Sequence, residues 1–237
     1  MIKVISIELS TLKIVIKIGG YIFPLKLESK TILEYTKVFR KLSREGHKIV
    51  IISGGGEEAR KYITVARKLG GSELVCDLFG IEVSRLNALL LITSLGNDAY
   101  PEPVKNIMDL KKAFEIGKIV VMGGLLPGQS TNAVGILAAE AIGADLFINV
   151  TDVDGVYTED PQKSTTAKKL NVISTNKLLK LVLKSELSAG SYELFDPVAI
   201  KIVERSKIPT WIINGRKPEN IIRIIKGDTL GTLIKPS

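Results

Sequence analysis

The stretch Ile14-Val-Ile-Lys17-Ile-Gly19-Gly20 places a β-branched apolar run directly before two glycines, a pattern typical of a buried strand that ends in a tight loop. Two later stretches repeat it, Ile49-Val-Ile-Ile-Ser53-Gly54-Gly55-Gly56 and Ile119-Val-Val-Met-Gly123-Gly124. Ligands of open parallel sheets bind beyond the carboxyl ends of the strands, so the three loops are predicted to converge on one crevice. A glycine backbone approaches an anion closely, and the helix expected after Gly56 directs free N–H groups there. The predicted ligand is therefore phosphorylated.

Around these stretches, apolar runs alternate with segments of helical period, which is the pattern of βαβ units. The sequence predicts a doubly wound α/β fold, a three-layer α/β/α sandwich around a mostly parallel central sheet. Strands are expected at residues 14–18, 48–52, 118–122, 146–150 and 210–213. Helices are expected at residues 31–44, 57–68, 74–94, 131–142, 176–184, 197–205 and 219–225. Residues 160–174 are predicted to form a surface excursion, and residues 1–12 an additional strand or arm.

The composition limits the possible partners. The 237 residues carry a formal net charge of +8, which suits phosphate-rich ligands, and the single cysteine, Cys76, excludes an intramolecular disulfide and a cysteine-rich metal site. No apolar run approaches the roughly 20 residues that cross a bilayer, and no secretion signal opens the chain. A soluble, cytoplasmic protein without a membrane partner is expected. Aromatic residues make up 5% of the chain and no basic tail is present, so no nucleic-acid partner is expected.

Lys17 interrupts the apolar run of the first strand, two residues before its glycines. Because an unpaired buried ammonium is costly, Lys17 should point toward the end of the strand, where a bound anion compensates its charge. The alternative is a lysine on an edge strand whose ammonium group reaches solvent. Neither the P-loop signature nor the Gly-x-Gly-x-x-Gly signature is present, so those two nucleotide-binding motifs are not predicted.

The fourth predicted strand runs into Thr151-Asp-Val-Asp154-Gly155, where two carboxylates alternate with an apolar residue before a glycine turn. At least one carboxylate should face the crevice, where it could orient lysines or hold Mg²⁺. The same sequence is also common in plain turns. The loop at residues 123–132 leads into a helix capped by Ser130 or Thr131, and it either presents backbone groups to a base or only begins that helix.

Taken together, these segments resemble the amino-acid kinase superfamily over nearly the whole chain. The resemblance rests on Lys17-Ile-Gly-Gly, Ser53-Gly-Gly-Gly-Glu-Glu-Ala-Arg60, Met122-Gly-Gly-x-x-Pro-Gly-Gln-Ser-Thr131 and Thr151-Asp-Val-Asp-Gly-Val-Tyr-Thr-Glu-Asp-Pro161. Three segments resemble the archaeal UMP kinases in particular. They are residues 56–62, Asp77-Leu-Phe-Gly-Ile-x-x-Ser-Arg85-x-Asn87-Ala and Ala189-Gly-Ser-Tyr-Glu-Leu-Phe-Asp196-Pro-x-Ala-x-Lys201. The implied fold is that of amino-acid kinases and carbamate kinase.

The resemblance implies an enzyme that transfers the γ-phosphoryl group of ATP to UMP. It implies one domain over residues 1–237, in which residues 1–145 bind the acceptor and residues 146–237 bind ATP. Catalytic roles are implied for Lys17, Arg60 and Asp152. Contacts with ATP are implied for Gly20, Tyr21, Gly56, Arg60, Thr151, Tyr157 and Asp160. Contacts with UMP are implied for Gly55, Asp77, Leu125, Leu126, Pro127, Gly128, Gln129, Ser130 and Thr131.

The resemblance also implies Mg²⁺ held mainly through the nucleotide phosphates, without a metal site built by the protein alone, and a hexamer assembled as a trimer of dimers. One departure concerns Asp152, which stands where archaeal UMP kinases often carry Asn. The aspartate is familiar from acetylglutamate kinases and aspartokinases, so the role of Asp152 around Mg²⁺ stays open.

Asp77 has two interpretations. It either accepts hydrogen bonds from the ribose hydroxyls of UMP, or it is a surface carboxylate near a helix start that favours the helix macrodipole. It lies beside an apolar stripe of one long helix that is expected to consist of Leu74, Val75, Leu78, Ile81 and Leu89.

Two other functions fit the same scaffold. One is a kinase of a small carboxylate, a phosphonate or an isoprenoid phosphate. The other is a nucleotide-binding regulatory protein without turnover, which is disfavoured because binding alone requires neither Lys17 nor the acidic turn.

Overall fold

The computed structural model describes residues 11–159, 161, 164–186 and 195–237. Within these residues the strands are β1 Lys13–Ile18, β2 Lys48–Ser53, β3 Val120–Met122, β4 Leu146–Thr151, β5 Val156–Tyr157, β6 Lys169–Leu170, β7 Val172–Ser174, β8 Thr210–Asn214 and β9 Thr232–Lys235. The α-helices are α1 Ser29–Arg44, α2 Gly56–Lys68, α3 Glu73–Leu95, α4 Ile107–Glu115, α5 Thr131–Ile142, α6 Thr175–Glu186, α7 Pro197–Ser206 and α8 Glu219–Ile225.

Seven strands form one sheet in the order β3-β2-β1-β4-β8-β9-β7, and β5 and β6 form a separate antiparallel hairpin. Within the large sheet, β9 is antiparallel to β8 and every other pair is parallel. β1 lies between β2 and β4, with Lys17 beside Ile52 on one side and beside Asn149 on the other. The five predicted strands and the mostly parallel sheet are confirmed.

Two hydrophobic clusters cover the two faces of this sheet. Val15 belongs to the cluster that includes α4, α5, α6 and α7, whereas Ile14, Ile16 and Ile18 belong to the cluster that includes α1, α3 and α8. Successive side chains of a strand point to opposite faces, so Lys17 lies on the face of Val15, toward α5 and α7. Helices on both faces of a parallel sheet confirm the predicted three-layer sandwich.

Helix α1 is fixed on the sheet by the apolar period of its sequence. Its buried side chains include Ile32, Tyr35, Phe39 and Leu42, which are three or four residues apart and share one face. Each large apolar side chain that is fully buried contributes about 1.5–3 kcal/mol. This face therefore determines where α1 packs.

The long helix α3 buries a different face from the one predicted. The side chains of Leu74, Val75, Leu78 and Leu89 are 38–59% exposed, and Ile81 alone of the expected stripe is buried. The buried face instead carries Cys76, Ile81, Ser84, Asn87, Ala88, Leu91, Ile92 and Leu95. Because the helix is apolar on most of its circumference, periodicity could not identify the face that contacts the sheet.

Several short elements were not expected, namely β5, β6, β7, β9 and α4. They are two to nine residues long, and strands this short form through pairing with their neighbours. β7 pairs with β9 and buries Ile173, so the end of segment 160–174 is part of the core and not a surface excursion. Residues 1–10 of the expected arm lie outside the described residues. No helix in the described part of the chain is long and apolar enough to cross a membrane.

Candidate active site

The glycine loops after β1 and β2 touch each other at the carboxyl end of the sheet. A Cβ atom added to Gly20 would lie 2.6 Å from the nitrogen of Gly56, and one added to Gly54 would lie 2.9 Å from the nitrogen of Gly20. The nitrogen of Gly54 also donates a hydrogen bond of 3.1 Å to the carbonyl oxygen of Ile18. A side chain has no room where the two backbones meet, which explains the glycines. These two loops converge as the sequence predicts.

The third glycine loop, after β3, is held by helix α3. The nitrogen of Gly124 donates to Oγ of Ser84 at 2.7 Å, and Nε of Arg85 donates to the carbonyl oxygen of Gly124 at 3.2 Å. Further along the loop, the nitrogen of Gly128 donates to Oδ2 of Asp77 at 2.7 Å. One helix therefore fixes the loop that was expected to bind the acceptor.

Asp77 is half-buried and faces this loop, so it is not a freely exposed carboxylate at a helix start. Its Oδ1 atom accepts no hydrogen bond from the described residues, and it can accept one from a ligand. In the same loop, Leu125 is buried and Leu126 is exposed, while Oε1 of Gln129 is buried without a hydrogen-bond donor in the described part of the chain. Beside this loop, Oδ1 of Asp77 is thus an oxygen atom that can accept a hydrogen bond from a bound molecule.

Lys17 lies at the carboxyl end of β1, where its side chain is largely enclosed by protein. Burial lowers the pKa of its ammonium group from 10.5 to about 8, and the carboxylates of Asp152 and Asp196 act in the opposite direction. Desolvation thus outweighs the two negative charges. A cation held in this way gains most from an anionic ligand.

Asp196 is the functional candidate that the sequence interpretation missed. It is the N-cap of α7, where Oδ1 accepts a hydrogen bond of 2.9 Å from the nitrogen of Ala199. Its Oδ2 accepts a short hydrogen bond from the hydroxyl of Ser130, which itself caps α5. An aspartate directly before Pro197 signals a helix cap, but the proximity of its charge to Lys17 depends on the packing of α5 against α7.

The loops after β4 and β8 are joined on the other side of the site. The nitrogen of Gly215 donates to the carbonyl oxygen of Thr151 at 2.8 Å, and the side-chain nitrogen of Asn214 donates to Oδ1 of Asp154 at 2.9 Å. Asp152 is exposed, and its Oδ1 accepts a hydrogen bond of 3.2 Å from the hydroxyl of Thr151. Asp154 is thus held by Asn214, whereas Oδ2 of Asp152 is not engaged by any described residue.

Tyr21 connects the glycine loop after β1 to the loop after β8. Its hydroxyl is hydrogen-bonded to the hydroxyl of Tyr35, which donates to the carbonyl oxygen of Gly215 at 2.6 Å. A Cβ atom at Gly215 would lie 2.0 Å from the Tyr21 hydroxyl, so the contact requires glycine there. Burial raises the pKa of both phenols, and both stay protonated at physiological pH.

The remaining predicted site residues are less closely connected. Arg60 is exposed one turn into α2, and its guanidinium makes no ion pair with any described residue. Tyr157 lies in the β5–β6 hairpin opposite Lys169, and no described contact joins it to the glycine loops. Asp160 lies outside the described residues. Among those that are described, no group of three or more His, Cys, Asp and Glu side chains could hold a metal ion.

Known proteins resemble the chain in sequence and in structure. The sequence model of the amino acid kinase family matches residues 13–214. A uridylate kinase of Hyperthermus butylicus is 48% identical over 222 residues, which cover 93% of this chain and 97% of that protein. One of Methanococcoides burtonii is 43% identical over 219 residues, 92% of this chain and 93% of that protein. The crystal structure of uridylate kinase from Archaeoglobus fulgidus matches with a TM-score of 0.85 and 41% identity, covering 94% of this chain and all of that one.

Proposed function

The chain belongs to the amino acid kinase family, and from this premise we propose that it is a uridylate kinase, which transfers the γ-phosphoryl group of ATP to UMP and yields ADP and UDP. The relatives described above support UMP as the acceptor. The structural observation that carries phosphoryl transfer is Lys17, an enclosed ammonium at the end of the central strand where two glycine loops converge. In this proposal residues 1–145 bind UMP and residues 146–237 bind ATP.

The reaction does not require a general base. The second pKa of a phosphate monoester is about 6, so the phosphate of UMP is ionised near neutral pH. One of its oxygens attacks the γ-phosphorus of ATP, and the bond to the β–γ bridging oxygen breaks. The protein must hold the two nucleotides in line and stabilise the negative charge of the transition state. Lys17 and Arg60 supply positive charge, and the loops after β1 and β2 supply backbone N–H groups.

Mg²⁺ fits this site as an ion held mainly by the nucleotide. Mg²⁺ commonly combines one or two carboxylates with substrate phosphates and water. Asp152 is exposed beside the loops and keeps Oδ2 open, so it can provide one ligand, whereas Asp154 is engaged by Asn214. When bound, the ion would neutralise charge on the β- and γ-phosphates.

A coupled assay of ADP release tests the function directly. The panel of acceptors should contain UMP, dUMP, CMP, AMP and GMP together with a small carboxylate, a phosphonate and an isoprenoid phosphate. UMP is expected to stimulate ADP release most strongly. Stimulation by one of the other classes without a response to UMP would assign the chain a different acceptor. Nucleotide binding without ADP release in any mixture would favour a regulatory protein.

The pH dependence of the reaction should reveal the titration of the Lys17 ammonium group. Because its pKa in the free enzyme is about 8, the charged form is lost as the pH rises through 8, and kcat/KM for ATP should fall above that pH. The phosphates of bound nucleotides favour the charged ammonium and raise its pKa, so kcat should decline only at higher pH. Rate profiles between pH 6 and pH 10 measure both limbs. Superimposable profiles for kcat and kcat/KM would contradict this assignment.

The variant Asp77→Asn tests the acceptor side. An asparagine oxygen can still accept from the nitrogen of Gly128, so the loop should stay in place, but the charged acceptor for ribose hydroxyls is lost. Hydrogen bonds to charged groups contribute about 1.5–3 kcal/mol, so kcat/KM for UMP should fall roughly 10- to 100-fold with little change in KM for ATP. Discrimination between UMP and dUMP should also weaken.

Asp109→Asn is the matched control for Asp77→Asn, because the carboxylate of Asp109, in the first turn of α4, contacts Asn106 and Lys112 and none of the glycine loops. It should leave UMP kinetics unchanged. If both variants altered only the thermal stability, Asp77 would be a structural carboxylate and the ribose would be bound elsewhere.

A homo-oligomer, with a trimer of dimers as the full assembly, is also part of the proposal. Leu74, Leu78, Leu86 and Leu89 of α3 are 44–61% exposed, and several large exposed apolar side chains on one helix suit a contact with another protein. We expect Leu86→Glu to reduce the particle mass in light scattering. Met108→Glu, at a 67% exposed position of α4, is the control and should leave the mass unchanged. A monomeric wild-type protein would refute the oligomer.

A further inference from the structure

Asn87 is a buried polar side chain on the inner face of α3, 6% exposed. Its side-chain nitrogen donates hydrogen bonds to the carbonyl oxygens of Gly54 at 2.9 Å and Gly55 at 3.1 Å. Both amide hydrogens are used in this way, and a buried amide is costly without such partners. Asn87 therefore fixes two successive peptide groups of the loop after β2.

The orientation of these peptide groups determines where their N–H bonds point. In a planar trans peptide, the N–H and C=O bonds point in opposite directions. Since Asn87 draws the carbonyl oxygens of Gly54 and Gly55 toward α3, the N–H groups of Gly55 and Gly56 point away from α3. Gly55 is in the right-handed helical region and Gly56 has a φ of 72°, a succession that gathers neighbouring N–H groups into a concavity for anions.

Because residues 54–56 are glycines, the orientation of these two peptide groups can reverse unless a side chain from elsewhere holds it. Residues 54–56 are all glycine and reach positive and negative φ with similar ease, so either peptide group could rotate. Rotation would replace an N–H donor by a carbonyl oxygen, which repels a phosphate. The two hydrogen bonds from Asn87 oppose this rotation, and the hydroxyl of Ser53 adds a longer one of 3.3 Å to the carbonyl oxygen of Gly54. Only Asn87 holds the carbonyl oxygen of Gly55 among the described side chains.

We propose that Asn87 is a positioning residue for phosphoryl transfer, which holds the N–H groups of Gly55 and Gly56 toward the phosphate of the acceptor nucleotide. For Gly56 this differs from the family resemblance, which implies a contact with ATP. Asn87 acts through the loop and does not touch the nucleotide. The proposal rests on the proposed function, because it takes the phosphate of a nucleoside monophosphate as the ligand of the loop.

The test compares a graded series at this position. Asn87→Leu removes both donors at similar size, and Asn87→Ser keeps one shorter donor. We expect kcat/KM for UMP to fall about 10- to 100-fold in Asn87→Leu, with a higher KM for UMP, and to fall less in Asn87→Ser. Ser94→Ala is the control, because it removes the hydrogen bond of 3.0 Å to Thr36 from the far end of the same helix. Its UMP kinetics should match those of the wild type.

A spectroscopic measurement separates orientation of the loop from general stability. Labelling glycine with ¹³C at the carbonyl and ¹⁵N at the amide selects the amides that follow another glycine, which are Gly20, Gly55, Gly56, Gly71 and Gly124. Addition of UMP should shift the Gly55 and Gly56 signals downfield in the wild type and in Ser94→Ala. In Asn87→Ser the shifts should be smaller, and in Asn87→Leu they should be lost, while Gly71 stays unchanged throughout.

The outcomes distinguish the two levels of the proposal. If wild-type enzyme phosphorylates UMP but the Asn87 variants keep wild-type UMP kinetics and the Gly55 and Gly56 shifts, the positioning role is refuted and the function stands. If the wild type releases no ADP with UMP, the function itself fails. Should Asn87→Leu not fold, unchanged shifts and kinetics in Asn87→Ser would refute the positioning role by themselves.

Discussion

Lys17→Met is expected to lower kcat by about 100-fold or more, because the lost charge matters most while negative charge moves between the phosphates in the transition state. The methionine retains the length and apolar stem of the lysine, so the packing beside β1 is kept. KM for UMP should change little, since Lys17 is placed at the transferring phosphoryl group. Steady-state kinetics with saturating ATP measure both parameters. A kcat equal to that of the wild type would remove Lys17 from the chemistry.

The same substitution should not reduce the stability of the unliganded protein. The pKa of Lys17 in the folded state, about 8, lies below its ordinary value of 10.5. The unfolded chain therefore binds this proton more tightly, so the charged lysine lowers stability below pH 8, and this cost disappears as the pH rises toward 10.5. Lys17→Met removes the cost, and its Tm at pH 7 should equal or exceed that of the wild type. A lower Tm would show that the lysine is structurally favourable.

Gly56→Ala should lower kcat/KM by about 100-fold or more, since displacement of reacting groups by about 1 Å is enough for such a loss. The added methyl group would lie 2.5 Å from the carbonyl oxygen of Phe23 and 3.0 Å from that of Gly20, and the φ of 72° is itself unfavourable for alanine. The loops after β1 and β2 would have to separate. Activity assays and the thermal midpoint measure the effect.

Gly70→Ala is the control for Gly56→Ala. Gly70 has a similar φ of 84°, but no atom lies within 4 Å of an added Cβ. It should lose about 1–2 kcal/mol of stability from the backbone conformation and retain wild-type kinetics. If the two variants behaved alike, backbone strain and not the contact between the loops would explain the loss at Gly56.

The sequence could predict the fold because its central strands are recognisable as apolar runs that end in glycine. The run before Gly19 and the run before Gly54 are apolar on both faces, as buried parallel strands are. The position of β9 between β8 and β7 could not be predicted. Neither the length nor the composition of β9 indicates that it pairs with β8 in the antiparallel direction. The buried face of α3 could not be predicted either, because the sequence does not distinguish Leu78, which is exposed, from Leu91, which is buried.

Within the site, the sequence could predict Lys17 and the glycines of the loops. It could not predict Asp196 and Asn87, the side chains that contact or influence them. Lys17 and the glycines have a chemical signature of their own, a charge or a missing side chain in an apolar run. Asp196 has the signature of a helix cap, and its influence on Lys17 exists only once α5 and α7 pack together. Asn87 has no signature, because the carbonyl oxygens that it contacts are 32 and 33 residues away in the chain.

The central position of β1 has a consequence for synthesis of the chain on the ribosome. β2 follows β1 closely, but the opposite edge of β1 pairs with β4, where Ile14 meets Leu146. Until β4 emerges, that edge presents unpaired backbone groups in an apolar segment, a template for association with other nascent chains. Lys13 and Lys17 bracket the segment, and charges in or beside such runs suppress aggregation. The lysine proposed for catalysis is thus also expected to reduce association of the nascent strand before any active site exists.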